Sequence, residues 1–311
     1  MLISSDPIPP ASHLASAFGL LWRSDIALSG FDTVDDGGDR AGDIDVYRVN
    51  RLADRPAGRA VDRGFVYADG IRFCWDEEVI FDISASTIAY KPDRDWTGVM
   101  PVSFYSTVAA LIAAWRGLVP LHASAVAIDG RAVLVVGRSG AGKSTLTAGL
   151  MALGARFIAD DLVVLSVGRH RIDVQRGRPT IRLHPDTAGP VDPHAAPVLG
   201  DPLGKWLARP DDRQREALAL GAVVILDAAD VAPAAQLLPH LFRRRRMAAL
   251  PMRDTLIQDI LAIASRVPVL AYPAQTDSSA PARRNRAEEV MNCVRATMTR
   301  AHNVQQDPCD R

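Results

Sequence analysis

The chain of 311 residues is 48% apolar, enough to bury a full core as one large domain or two modest ones. Lysine plus arginine and aspartate plus glutamate each number 36, so no global field recruits nucleic acid or an anionic membrane, and a charged partner must be met by a local patch. Residues 1–10 lack a basic or apolar leader and no apolar run approaches a membrane span, which predicts a cytoplasmic protein. Cys74, Cys293 and Cys309 are few, odd in number and far apart, a pattern of reduced thiols rather than of a disulfide framework or a zinc site, with Cys74 expected to be buried in a strand.

In chain order, 20–26 and 43–49 read as short strands on either side of an acidic Gly-rich loop. The carboxylates at 35, 36, 39, 43 and 45 lack the alternation and closing Glu of a calcium loop, so the segment reads as a solvated turn. Residues 65–67 and 71–75 flank Ala68-Asp69-Gly70, a hairpin signal, and 79–83 and 87–90 continue the strand pattern. These define a small β-rich module over 1–102. Phe104, Val108, Leu111, Ile112 and Trp115 then recur at helical spacing, with Ser103 as candidate cap and Gly117 as stop.

Residues 121–128 and 131–136 are two strands joined by Asp129-Gly130, a two-residue hairpin turn. With Ile128 paired to Arg131, His122 falls opposite Gly137. That glycine opens the most informative stretch of the chain, Gly137-Arg138-Ser139-Gly140-Ala141-Gly142-Lys143-Ser144-Thr145, a G-x-x-x-x-G-K-S pattern behind an apolar strand and ahead of a helix over 145–153. The pattern predicts a phosphate loop. Its amides turn onto phosphate oxygens, Lys143 reaches the β/γ-phosphates, Ser144 ligates magnesium and the helix N-terminus favours the anion. ATP and Mg2+ are therefore the expected cofactors, and the register places a histidine at the mouth of the site.

After a stop at Gly154, residues 156–159 lead into Asp160-Asp161 and then into the apolar 162–165. Adjacent carboxylates inside an apolar segment are costly unless a metal or cation holds them, and both face one site only at a bulge or strand end. One would bind magnesium and the other accept a proton; a polar turn between short strands is the plain alternative. Strands follow at 171–175 and 180–183, then a Pro/Gly-rich stretch over 184–202. Residues 222–226 form a second buried strand ending in Asp227, the place of a Walker B aspartate and the alternative magnesium ligand. The run Arg243-Arg244-Arg245-Arg246 is a solvated helix end or an arginine clamp on phosphate. A helix over 256–263, a strand over 267–272 and a closing helix over 287–298 complete the domain, 103–300, before a frayed tail, 301–311.

The combination of His122, the 137–145 loop and Ala159-Asp160-Asp161 resembles the catalytic domain of HPr kinase/phosphorylase, the bacterial serine kinase that shares its nucleotide fold with phosphoenolpyruvate carboxykinase. His122 precedes Lys143 by 21 residues and Asp161 follows Ser144 by 17, intervals that fit that family. The resemblance implies an α/β fold, a P-loop nucleotide domain of that type with a mixed sheet behind the β-rich module. It implies Asp161 as the base for a serine hydroxyl, Lys143 and Ser144 on phosphate and magnesium, His122 in the active site and Asp160 on metal or charge balance. The family's Glu-Ile-Arg-Gly-Leu-Gly signature is reduced here to Thr180-Ile181-Arg182-Leu183, without its carboxylate, and Asp186 is the candidate substitute metal ligand. Over its whole length the chain resembles the HPr-kinase-like proteins of lasso peptide biosynthesis, through Leu21-Trp22-Arg23-Ser24-Asp25-Ile26-Ala27-Leu28 and Leu121-His122-Ala123-Ser124-Ala125-Val126. That implies phosphorylation of the C-terminal serine of a precursor peptide. The expected partner is a precursor peptide or small protein, with no nucleic acid and no membrane, and self-association as a homo-oligomer stays open. The alternatives are an HPr-type regulatory kinase, a P-loop ATPase built on Asp227 and a nucleotide-gated peptide-binding module.

Overall fold

A computed structural model describes residues 13–35, 42–74, 79–198, 203–228, 231–242, 250–273, 277 and 279–306. The arginine run at 243–246, the start of the chain at 1–10, Asp36 and Asp39 of the acidic loop, and Cys309 lie outside them. The fold is mixed α/β with several sheets, and the chain divides into two compact units, Met1–Pro120 with Phe242–Leu256, and Leu121–Leu241 with Ile257–Arg311. The helical segment after 103 thus belongs to the first unit, where the sequence places the boundary at 102.

Among its described residues the first unit contains a nine-stranded sheet: β1 (His13–Ala17), β2 (Leu20–Ser24), β3 (Asp32–Thr33), β4 (Ile44–Arg48), β5 (Arg59–Val61), β6 (Gly64–Val66), β7 (Ile71–Cys74), β8 (Val79–Ile83) and β9 (Thr87–Pro92). Their order is β3-β1-β2-β4-β9-β8-β7-β6-β5. The pairs β2 with β4 and β4 with β9 are parallel. Leu20, Trp22 and Ser24 alternate with half-exposed neighbours, the period-two pattern of a sheet with one buried face. The hairpin expected around Asp69-Gly70 is present, with Val66 paired to Ile71. Cys74 is half-buried rather than buried, because it shares the half-exposed face of β7 with Arg72, opposite Ile71 and Phe73. Asp43 and Asp45 of the acidic loop serve the protein: Asp43 accepts from the Leu21 amide at 2.8 Å and Asp45 from Arg23 at 2.6 Å. The segment after Ser103 opens with a π-helical turn, Phe104–Val108, and continues as α1 (Ala109–Trp115). Ser103 makes no side-chain capping bond. Phe104 packs with Trp22, Phe31 and Phe81 in an aromatic cluster whose ring centroids lie 5.8–6.1 Å from its own.

In the second unit and at its entry come β10 (Val119–Leu121), β11 (Ala123–Ile128), β12 (Arg131–Val136), α2 (Lys143–Ala152), β13 (Arg156–Ala159), β14 (Val163–Val167), β15 (Ile172–Val174) and β16 (Ile181–Leu183). They are followed by α3 (Pro185–Val191), β17 (Ala196–Pro197), β18 (Trp206–Ala208), β19 (Leu218–Leu226), α4 (Pro233–Leu237), α5 (Arg253–Arg266), β20 (Val269–Tyr272) and α6 (Ala280–Gln306). Strands β14, β15, β19, β12, β11 and β13 lie in that order, with β20 pairing along the later half of β19. β12 is paired on both edges, antiparallel to β11 and parallel to β19, and from Ala132 to Val136 its side chains are buried on both faces, which is why that run is apolar. Asp129 and Gly130 turn the β11–β12 hairpin at φ 48° and 76°, the left-handed pair a two-residue hairpin needs. α2 and α6 cover this sheet through Leu146, Leu150, Val290, Met291 and Val294. Truncating Leu150 there would cost about 2–5 kcal/mol. On its other side α2 meets Phe157, Ile181, Leu183 and Ala188, so the small sheet β16-β18-β17 and α3 flank it. The closing helix is longer than the sequence suggests: it starts at Ala280 and continues to Gln306, into the segment 301–311 expected to fray.

Candidate functional site

The hairpin register runs without a shift from Ile128↔Arg131 to Ala123↔Val136. The pairing stops there, one residue short of His122 and Gly137. From Val136 the chain leaves the sheet into the glycine loop. Gly140 and Gly142 stand at φ 86° and 91°, where a side chain would be strained. A Cβ on Gly137 would lie 3.0 Å from that of Leu226, so the loop presses on the end of β19. α2 starts at Lys143, and its ten residues direct unpaired amides and the positive end of the helix dipole into the loop.

Lys143 is buried, and its Nζ donates to the carbonyls of Gly137 at 2.9 Å and Arg138 at 3.1 Å. Burial lowers its pKa, against the opposing fields of Asp160, Asp161 and Asp227. The ammonium is thus folded onto its own loop by two neutral acceptors, which a phosphate oxygen can replace.

The two carboxylates after β13 share one region through a turn. Leu162 donates its amide to the Asp160 carbonyl at 2.9 Å, closing a three-residue turn around Asp161, which has φ 68°. This turn breaks the strand alternation that would have sent the side chains to opposite faces. Asp160 is 5% exposed and accepts from Ser124 Oγ at 2.5 Å, Ser144 Oγ at 2.9 Å and the Arg182 amide at 3.2 Å. Asp161 is about a third exposed, 34%, and its Oδ1 lies 3.2 Å from His122 Nδ1. The same nitrogen lies 3.0 Å from the Asp161 carbonyl. A carbonyl only accepts, so Nδ1 carries the proton. Burial pushes the Asp161 carboxyl upward, but the His122 hydrogen bond and the charges of His122, Arg182 and Arg178 outweigh it and hold it below its ordinary value.

His240 completes this rim. Its carbonyl accepts from the His122 amide at 2.7 Å, and Leu121 bridges Leu241 antiparallel. Burial, then the charges of Lys143 and His122, lower its pKa to about 4, so the ring is neutral near pH 7.

Five of the residues marked by the sequence therefore converge: His122, Lys143, Ser144, Asp160 and Asp161. Asp227 follows β19 at φ 58°, level with the glycine loop, and its field reaches Lys143. Asp186 forms an ion pair with Arg283 of α6 at 2.8 Å and accepts from Thr187 Oγ1 at 3.2 Å. Sequence reasoning missed Ser124, Arg178, Arg182 and His240 as members of the cluster. Ser124 was readable, since it is a polar residue two positions after His122 in a strand that is otherwise apolar. Arg178 and His240 carry no local signal.

A hydroxyl and a carboxylate 2.9 Å apart are hard oxygen donors of the kind Mg2+ takes, and among the described residues no group of three or more His, Cys, Asp or Glu forms a metal cage. Such a donor set suits a cation whose shell is completed by phosphate and water.

No protein family and no curated protein matches the chain. One solved structure that it is similar to is a kinase/phosphatase. This is the Hpr(Ser) kinase/phosphatase from Coxiella burnetii, at TM-score 0.34 and 16% identity over 60% of this chain and 95% of that one. A score that low transfers no residue's role, and the chemistry of the site rests on its own geometry. Among the described residues no helix is long and apolar enough to cross a membrane.

Proposed function

We propose that the second unit is a P-loop nucleotide domain that transfers the γ-phosphoryl group of ATP to a serine hydroxyl on a peptide or small protein. The single observation that carries this reading is the carboxylate pair: Asp160 beside Ser144 and Asp161 beside His122, at the mouth of the glycine loop. Phosphoryl transfer asks little covalent chemistry of a protein, mainly in-line positioning and neutralised charge. The loop amides from Gly137 to Thr145 and Lys143 hold the phosphates, while Ser144 and Asp160 would hold Mg2+, which neutralises phosphate charge when bound. Asp161, ionised at neutral pH, orients the acceptor hydroxyl and takes its proton. His122, fixed through Nδ1, keeps that carboxylate in place, and Arg178 and Arg182 add positive charge at the same centre. The acceptor we favour is the C-terminal serine of a lasso precursor peptide, on the strength of the motifs at 21–28 and 121–126.

A second reading has an observation of its own. Asp227 ends the strand parallel to β12 and acts on Lys143, as a Walker B carboxylate of a water-activating ATPase would. Intact-mass analysis of the precursor peptide and of an HPr protein, each incubated with the chain, ATP and Mg2+, separates the two. A phosphoryl gain on the peptide, lost in Lys143→Ala and Asp161→Asn, supports the peptide kinase; a gain on HPr moves the assignment to a regulatory kinase. ADP formation without phosphoprotein, abolished by Asp227→Asn and kept by Asp161→Asn, overturns both.

A further inference from the structure

Within the second unit, a cavity of about 240 Å³ opens from the glycine loop on the side of Thr145, lined by Gly140, Gly142, Thr145, His184, Arg283 and Arg286 among others. The carboxylate pair does not line it. Its size is below the roughly 300 Å³ at which whole small-molecule sites begin, and so it suits part of a ligand whose remainder lies on the loop. Arg286 is the distinctive wall. Its guanidinium lies over the ring of Tyr272 with 5.3 Å to the centroid, and its Nη2 donates to the Pro273 carbonyl at 3.1 Å. Tyr272 is itself buried at the end of β20, so this planar cation is held from behind and from one edge. Arg283, one helical turn earlier, is turned by its ion pair with Asp186 and by Thr187 Oγ1 at 3.3 Å.

We propose that this cavity takes the nucleoside half of the triphosphate, with the base stacked on the Arg286 guanidinium and the ribose passing Thr145. The inference rests on the nucleotide reading above and adds to it where selectivity for a nucleotide over a bare polyphosphate comes from. A guanidinium stacked on one face by an aromatic ring offers a flat, weakly hydrated second face, the surface on which a nucleobase packs. A lysine in its place keeps the charge and loses the plane. Asp186 then acts as a positioning residue, fixing Arg283 at the cavity rim, which accounts for a carboxylate near the loop that does not join the metal donors.

The test is calorimetric titration of the full chain with MgATP and, separately, with magnesium tripolyphosphate. The proteins are the wild type, Arg286→Ala, Arg286→Lys and Lys143→Ala. The wild type should prefer MgATP by about ten- to a hundredfold, the range of one base–platform stack. Both Arg286 variants should lose that preference by weakening MgATP alone, and unchanged tripolyphosphate binding certifies that they are folded. Lys143→Ala should weaken both ligands. Equal wild-type affinity for the two ligands, equal weakening of both in Arg286→Ala, or full rescue by Arg286→Lys overturns the stacking proposal and leaves the P-loop reading standing. Failure of both ligands to bind the wild type overturns the nucleotide reading and this one with it.

Discussion

Asp82 in the first unit and Asp160 in the second are both buried carboxylates on sheets, and they are satisfied in opposite ways. Asp82 is fully buried and held by cations: Arg55 Nη2 lies 2.9 Å from its Oδ1 and Arg72 Nη2 lies 2.6 Å from its Oδ2. Arg55 is itself tied to Asp69 at 2.7 Å and stacked on Tyr67 at 4.6 Å. Asp160, 5% exposed, draws its bonds from two hydroxyls and an amide, all neutral, while the nearby Lys143 spends its protons on loop carbonyls. A buried carboxylate matched by cations is electrically complete and serves folding. One held only by neutral donors keeps a need for positive charge, and a lysine parked on carbonyls keeps a need for negative charge. The second arrangement fits the proposed site for a cation and a polyanion.

The largest expected effects break the second arrangement. Lys143→Ala removes the cation proposed to meet the transferring group and should lower transfer by about 10²–10³-fold, together with a clear loss of nucleotide affinity. Asp161→Asn should cost transfer about 10²–10⁴-fold, the worth of a positioned proton acceptor, and leave nucleotide affinity within about twofold. Single-turnover rates and equilibrium titrations on the same protein check the pair. Retained transfer in Asp161→Asn removes the base. Because His122 and the arginines hold the Asp161 carboxyl below its ordinary 3.8, the base stays ionised through the neutral range, and loss of transfer on the acid side above pH 5 would have to come from another group.

Next comes the first arrangement. Asp82→Ala leaves two arginines facing a buried gap and should destabilise the first unit by about 3–5 kcal/mol, measured by denaturant unfolding. Replacing Asp82, Arg55 and Arg72 together by apolar side chains of similar volume should recover most of that loss, since a buried ion cluster is often no more stable than a well-packed apolar one. Nucleotide affinity of the folded fraction should not change in either variant. A shift there would mean that the first unit tunes the site.

The contrast also explains what could be read from the chain. The glycine loop, the hairpin register and the Asp160-Asp161 pair were legible because each is local: a spacing, a two-residue turn, two charges in an apolar run. The strands with clear alternation were found within a residue or two of their ends. β1 and β5 were not, since His13–Ala17 and Arg59–Val61 carry little apolar contrast and gain their place from neighbours already in the sheet. The ion pair of Asp186 was not legible for a related reason. Its partner, Arg283, lies 97 residues away on α6, and no local pattern announces that pairing. The same holds for His240, whose backbone reaches His122 across more than a hundred residues.

His240 sharpens the picture by pH. In the unfolded chain its ring titrates near 6.5, whereas in the fold burial and the charges of Lys143 and His122 hold it neutral down to about 4. Between those values the unfolded state binds the proton that the folded state refuses. The stability from a neutral His240 is therefore complete above about pH 6.5, declines as the pH falls toward 4, and changes no further below that. His240→Gln should flatten that part of the stability–pH curve relative to the wild type. An unchanged slope would show that His240 is not held neutral beside the loop.

The smallest effect tests Asp160 most directly. Ser124 and Ser144 both donate to its Oδ1, but only Ser144 lies in the first turn of the helix that follows the loop. If Asp160 awaits a cation, the two hydroxyls are unequal. Ser144→Ala should weaken the Mg2+ dependence of nucleotide binding by about tenfold or more, as the loss of a metal donor requires. Ser124→Ala removes one of three donors to a buried carboxylate, should cost about 0.5–1.5 kcal/mol of stability, and should leave Mg2+ dependence nearly intact, because the oxygen it releases remains available to the metal. Denaturant unfolding and Mg2+ titration at fixed ATP read the two quantities separately. Equal loss of stability in both variants with no change in Mg2+ dependence would make Asp160 a structural carboxylate of the same kind as Asp82, satisfied by hydroxyls where the other is satisfied by arginines.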